Sequence, residues 1–232
     1  MLSMRDHDVE DYATLRDMDT TDVAVLDEDD RACLDELGQY LVSTDAFERF
    51  AIWLLNKHFE PAAGEVFVES VTTAPRGTQT TPVQRCSAQG LDATSICFDP
   101  DVSSVVGVIG MEFADPTDFG STSPLSPDDE AVLAGIAQRL QAHGKTERFG
   151  VRLIRNPLGL LENEVLLETC DIAHLTLHCS VGERDSVRAG TTVETSWQWE
   201  PSLSKTGPKV KQRCMAGCTS STDGHWFGPH IP

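Results

Sequence analysis

Positive charge is scarce in this chain. Its 232 residues hold 18 Lys and Arg against 37 Asp and Glu, a formal charge of -19 and a pI near 4.5. Phosphate backbones and anionic bilayers are bound through clustered Lys and Arg, so no nucleic-acid partner and no membrane-surface partner is expected. Lysine is the scarcer of the two cations, with five against 13 arginines. Three of them, Lys205, Lys209 and Lys211, share one stretch that reads as an exposed loop and strand edge. Long apolar runs are missing, which excludes a membrane-spanning helix. The opening Met-Leu-Ser-Met-Arg-Asp-His-Asp has no apolar h-region, so no signal peptide is expected. Seven cysteines, odd in number and irregular in spacing, do not form a secreted disulfide framework. A cytoplasmic protein with free thiols is the expectation. There is no Gly-rich phosphate loop, no Gly-x-Gly-x-x-Gly after a strand and no Gly-x-Ser-x-Gly elbow, so nucleotide-dependent and serine-hydrolase mechanisms lack their usual signatures.

What is present is an internal echo. Residues 27–71 and 126–170 align without a gap at a constant offset of 99. Asp29-Asp30 matches Asp128-Asp129, Leu34 matches Leu133, Glu48-Arg49-Phe50 matches Glu147-Arg148-Phe149, Glu65-Val66 matches Glu164-Val165, and Glu69 matches Glu168. A unit of this length is a small domain, far too long for a solenoid or propeller repeat. The chain therefore divides into an acidic N-terminal arm (1–26), copy 1 (27–114), a Pro/Gly/Ser-marked linker (115–125), copy 2 (126–216) and a Cys/His-containing tail (217–232).

Each copy opens with helix signals. Asp27 and Ser126 stand at N-cap positions, Pro127 at the first helical position, and acids fill the first turn. Cys33, Leu34, Leu37 and Leu41, and likewise Val132, Leu133, Ile136 and Leu140, recur at spacings of three and four and fall on one helix face. Gly144 stops the second helix where Asp45 stands in the first. Strand-like runs follow: Phe50, Ile52 and Leu54 alternate, as do Phe149, Val151 and Leu153. Further paired runs are 65–71 with 164–170, 78–84 with 175–181, 93–98 with 193–200, and 105–113 with 210–215. In the fourth pair Ile96 and Phe98 occupy the places of Trp197 and Trp199. Short connections and period-two alternation predict antiparallel pairing with one wet face. The fold class is α+β: a tandem duplication of a helix plus four- to five-stranded antiparallel sheet, packed as a pseudo-two-fold dimer.

Scaffold demands apply to both copies, so polar residues that only one copy carries are the better site candidates. The shared acids Glu65/Glu69 and Glu164/Glu168 are expected on the solvent side of strands whose Val66, Val68, Val165 and Leu167 face inward, with Arg49 and Arg148 as partners for such acids. Copy 2 alone has Cys170, His174, His178 and Cys179. A three-residue turn at Asp171-Ile172-Ala173 puts Cys179 inward, His178 outward, and Cys170 opposite His174 on the outer face, about 5 Å apart at Cβ. That pair is either a thiolate activated by imidazole or two ligands of a metal. His174 and His178 lie roughly 13 Å apart along a flat strand and do not share an ion. His58, at a strand end in copy 1 only, is a candidate acid, base or ligand. The catalytic candidates are thus Cys170, His174, Glu168 and His58. Trp53, Trp197, Trp199 and Trp226 are candidate pocket walls, with Trp197 and Trp199 assigned to the core. In the tail, Cys214, Cys218, His225 and His230 are the donor set of tetrahedral zinc, or of another transition metal such as iron, at a spacing looser than a standard finger.

Three functions are compatible with these features. The first is a binding protein that takes a small molecule or a protein partner at the groove between its copies, as a monomer with internal pseudo-symmetry or a homodimer. The second is a metal-dependent enzyme with zinc or iron held by Cys and His of copy 2 and the tail, Glu168 or His58 handling protons. The third is a binding protein with a purely structural tail zinc. No motif decides whether the chain is an enzyme.

Overall fold

The computed structural model describes residues 2–16, 26–99, 106–118, 124–155, 158–161, 163–183, 195–201, 209–210 and 226–227. Residues 2–16, predicted as part of a solvated acidic arm, join the fold. β1 (Leu2–Asp6) lies in the sheet, and α1 (Val9–Ala13) follows, capped by Asp8. Tyr12 and Leu15 enter the core and His7 is fully buried. Their burial offsets the cost of ordering an acidic segment, and Arg5 neutralises part of it through ion pairs with Asp11 and Asp99.

The two expected helices form for the expected reasons. α2 (Glu28–Ser43) opens on a reciprocal cap: the Asp27 carboxylate accepts from the Asp30 N–H, and the Asp30 carboxylate accepts from the Asp27 N–H. A turn at Pro127–Asp129 leads into α3 (Glu130–Ala142); the Asp129 carboxylate accepts from the Ser126 N–H at 2.9 Å, and the Asp129 N–H donates to the Ser126 carbonyl at 3.0 Å. These bonds satisfy donors that a helix N-terminus otherwise leaves orphaned. Both helices end at a left-handed residue, Asp45 (φ 60°) and Gly144 (φ 65°). The next N–H then returns to the last turn, from Ala46 to Leu41 O and from Lys145 to Leu140 O, each at 2.8 Å. Cys33, Leu34, Leu37 and Leu41 are buried, as are Leu133, Ile136 and Leu140.

The strands are β2 (Phe50–Leu54), β3 (Glu65–Thr73), β4 (Arg76–Gln84), β5 (Asp92–Phe98), β6 (Val106–Ala114), β7 (Phe149–Leu153), β8 (Glu164–Asp171), β9 (Thr176–Glu183), β10 (Ser196–Trp197), β11 (Trp199–Glu200), β12 (Lys209–Val210) and β13 (Trp226–Phe227). The fold is mixed α and β, with one sheet in the order β10-β2-β7-β5-β6-β3-β4-β9-β8-β13 curled into a half-barrel; β1 pairs with β6, and β11 with β12 apart. Neighbours are antiparallel except that β6 runs parallel to β3 and to β1. The expected all-antiparallel sheet fails there because β4 and β5 intervene between β3 and β6, a connection long enough to bring β6 back in the same direction. No helix of the described residues is long and apolar enough to cross a membrane.

Register decides what faces what. β2 pairs with β7 as Phe50–Leu153, Ile52–Val151 and Leu54–Phe149, so all six share one buried face, as their alternation predicts. The other face of these strands carries Trp53 and Arg152, which line an interior cavity that no residue of α2 or α3 reaches. The sheet therefore has two covered faces: helices take one, and the curl encloses the other. This overturns the expectation that Glu69 and Glu168 are solvated; they are 6% and 7% exposed. The wet face assumed for these strands is the inside of the curl.

The β8–β9 hairpin shows the same misjudgement. Cys170 stands opposite Leu177, Glu168 opposite Cys179 and Asp171 opposite Thr176, across a turn of residues 172–175. The predicted three-residue turn, with Cys170 facing His174, does not occur. A one-residue change of facing moves every side chain of a strand to the other surface. Here Leu166 packs against the main core, and Glu168 and Cys170 lie on the same side of β8.

Candidate functional site

The inside of the curl collects charge. Glu69 (β3), Glu112 (β6) and Glu168 (β8) are all buried, and Arg152 (β7) and Arg155 enter between them. Arg155 reaches Glu69 at 3.1 Å, and Arg152 reaches Glu112 at 3.1 Å and Glu69 at 3.6 Å. Glu112 also accepts from the Ser95 hydroxyl at 2.9 Å. Two carboxylates are thereby held by guanidiniums and, for Glu112, a hydroxyl.

Glu168 is different. Its nearest ionisable partner is His58 Nε2 at 4.0 Å, beyond hydrogen-bond distance, and no described residue donates a hydrogen bond to its carboxyl. Asn56 Nδ2 lies 3.3 Å from the same His58 nitrogen. Glu168 borders a cavity of about 20 Å³, enough for one water-sized group. Around it stand Tyr12, Trp53, Asn56, His58, Thr80, Glu112, Arg152, Leu177, Cys179 and Thr195. The Trp53 indole N–H is occupied by Ile96 O at 3.2 Å, which fixes the ring as a wall. Burial pushes the Glu168 carboxyl up from 4.5 to about 7; Arg152 pulls it down, and Glu112 and Glu69 push it further up. Burial also raises the Tyr12 phenol. A carboxyl that changes charge near neutrality, beside an imidazole and a water-sized space, can hold a hydrogen-bond donor or exchange a proton with one.

No known protein family, curated protein or solved structure matches the chain. Its chemistry is read from these residues alone.

Of the residues singled out from sequence, Glu168, His58, Trp53 and Cys179 meet at this cavity. Cys170 is buried at 5% exposure, two register rows from Cys179. His174 is elsewhere: its side chain is 78% exposed in the turn, with Nδ1 2.7 Å from the Asp171 carboxylate. His178 is exposed and Cys179 faces in, as expected. Arg49 and Arg148 pair with the helix-cap acids Asp129 and Asp30, each at 2.8 Å, in place of the strand glutamates. Cys214, Cys218, His225 and His230 lie outside the described residues. The backbone of 226–227 pairs with β8 at Thr169 and Glu168. Among the described residues, no group of three His, Cys, Asp or Glu side chains is arranged to hold a metal.

Arg152, Arg155, Glu112, Tyr12 and Thr80 were missed. Two of them had a signal. At the offset of 99, Arg152 stands opposite Trp53 and Arg155 opposite Asn56, the kind of difference between the aligned stretches that singles out His58. Glu112 and Tyr12 lie outside the aligned stretch, and only the topology brings them in.

Proposed function

We propose that the chain is a duplicated α+β unit whose two halves share one small-molecule binding cleft, at the cavity beside Glu168. The registers support the duplication. Exchange each residue for its counterpart 99 positions away, and the pair Phe50–Leu153 becomes Phe149–Leu54, itself a pair in the β2–β7 register. The same exchange turns Thr78–Cys179 into Leu177–Thr80 in the β4–β9 register, and the ion pair Asp30–Arg148 into Asp129–Arg49. Self-exchanging contacts are the property of a two-fold interface. Strands of copy 2 stand on both sides of the β5-β6-β3-β4 block of copy 1, and residues of both halves line the cleft.

The binding reading is carried by Glu168, a buried carboxyl that borders a cavity and receives no hydrogen bond from a described residue. A buried acceptor left unsatisfied costs about 1–3 kcal/mol, and an occupant that donates to it recovers that cost. Its counterpart Glu69 has two arginines instead. The test is a titration of the full chain with a panel of small polar compounds, followed by the Trp53 indole N–H resonance. Saturable shifts that vanish in Glu168→Leu support the cleft; compounds that bind without moving Trp53 overturn it.

The approach of His58 to Glu168 favours a second reading, an enzyme that moves protons between these two groups. Turnover of a cleft ligand that falls by about 100-fold in His58→Gln, with binding retained, supports it; equal turnover refutes it.

A further inference from the structure

We infer that the cleft takes the protonated amino group of a small primary amine, an inference that rests on the cleft reading above. Four observations lead there. The first is donor demand: Glu168 needs hydrogen-bond donors. Tyr12 and Thr80 also border the cavity at 6% and 4% exposure, and their hydroxyls have no partner among the described residues. A hydroxyl accepts as readily as it donates. An ammonium group brings three N–H donors and no acceptor, matching one carboxylate and two hydroxyl oxygens.

The second is charge. Among the described residues, three carboxylates (Glu69, Glu112, Glu168) meet two guanidiniums (Arg152, Arg155), and the guanidiniums bond to Glu69 and Glu112. One negative charge is left, at Glu168, and one monovalent cation balances it. An anion is repelled, and a carbonyl oxygen has nothing to donate. Asn56 Nδ2 lies 3.3 Å from His58 Nε2; an imidazole that accepts from this amide at Nε2 is neutral and leaves the charge count unchanged.

The third is size. A cavity of about 20 Å³ accommodates a group as large as water, which an ammonium head is and a ring or a guanidinium is not. The fourth is the wall: the aromatic residue Trp53 borders the same space, and aromatic rings attract cations.

The test uses the full chain and methylammonium chloride at constant ionic strength, at about pH 8 and about pH 5.5, with the Trp53 indole N–H resonance as the local probe and calorimetry as the global one. Potassium chloride, acetamide and sodium acetate are run alongside. We expect saturable methylammonium binding at the higher pH, and at least about tenfold weaker binding at the lower pH, where a proton competes for Glu168. Glu168→Gln should weaken binding by at least about tenfold, and Thr80→Val, which keeps the strand's shape and charge, by about threefold. A potassium response equal to that of methylammonium overturns the amine, because a bare cation then suffices. Saturation by acetamide or acetate with no response to methylammonium overturns the amine but keeps the cleft. No Trp53 response to any probe overturns both. Methylammonium binding that neither substitution changes also overturns the proposal.

Discussion

Glu168→Gln separates a buried carboxyl that resists ionisation from one that is merely part of a salt-bridge network. Burial lifts the carboxyl from 4.5 to about 7, a gap worth about 3 kcal/mol. The folded state holds a proton that the unfolded chain releases, so Glu168 lowers stability progressively as pH rises between these two values. Below about 4.5 its cost is absent, and above about 7 it is complete. Glutamine has no proton to lose and nearly the same shape. The stability of the variant relative to the parent should therefore increase by up to about 3 kcal/mol between about pH 4.5 and pH 8. Urea unfolding midpoints at a series of pH values, with equal slopes in both proteins, measure this directly. The matching control is Glu69→Gln, which strips Arg152 and Arg155 of a shared carboxylate and should destabilise by about 3 kcal/mol at about pH 8 by removing the negative charge that these two guanidiniums share. Parallel pH profiles for parent and Glu168→Gln, within about 0.5 kcal/mol, would refute the reasoning. So would a loss of stability at about pH 8 as large as that of Glu69→Gln.

Asn56→Arg supplies Glu168 with the kind of group that Arg155 gives Glu69; it should flatten the pH profile as Glu168→Gln does and abolish occupancy of the cleft, both read in the same titrations. A Cβ at Gly77 would lie 2.0 Å from the Cys179 carbonyl oxygen, so Gly77→Ala must part β4 from β9 and should cost about 3 kcal/mol or more in urea unfolding. Gly38→Ala meets the Trp199 indole at 2.2 Å; a side chain can give way, so the expected loss is about 1–2 kcal/mol with a shift in tryptophan emission. If Cys214, Cys218, His225 and His230 hold zinc, protein purified without a His tag should carry about one equivalent, and deletion of residues 214–232 should remove it. Less than about a tenth of an equivalent by elemental analysis, with the thiols titratable, refutes the metal site.

The helices were legible because every signal is local. Asp27, Ser126 and Pro127 mark the starts, Asp45 and Gly144 the ends, and Leu37 or Ile136 the buried stripe, all within a few residues of the bonds they make. The equivalence of Ile96 with Trp197 was legible as well: Ile96 pairs with Val151 as Trp197 pairs with Ile52. The facing of Glu69 and Glu168 was not. Alternation tells which residues share a face, but only curvature tells whether the second face is also closed, and curvature is a property of the whole sheet. A glutamate on a strand is assigned to water by default. Here the default fails because α1, a five-residue helix in an acidic segment, helps close the curl with Tyr12. The hairpin error followed from it: with Val165 taken as the inward residue, Cys170 was sent to the surface beside His174.

On the proposed duplication, the difference between Glu69 and Glu168 shows what two unlike copies make available. The two acids are counterparts, each buried at about the same depth, so burial alone does not distinguish them. Their neighbours come from the opposite half: Arg152 and Arg155 for Glu69, and His58, beside Asn56, for Glu168. A symmetric pair of arginine sets would leave both acids ionised and both positions filled, with nothing to bind. A symmetric pair of Trp/Asn sets would leave two buried carboxyls with neither guanidinium partner, each paying the cost of ionisation near neutral pH. The chain has one of each. The arginines concentrate positive charge around Glu69 and Glu112, and Glu168 keeps an unanswered acceptor and the adjoining space. Under the proposed binding reading, such a site needs the two halves to be unlike at a few positions, and the residues that differ at the offset of 99, Trp53 against Arg152 and Asn56 against Arg155, border the cavity or bind its acids.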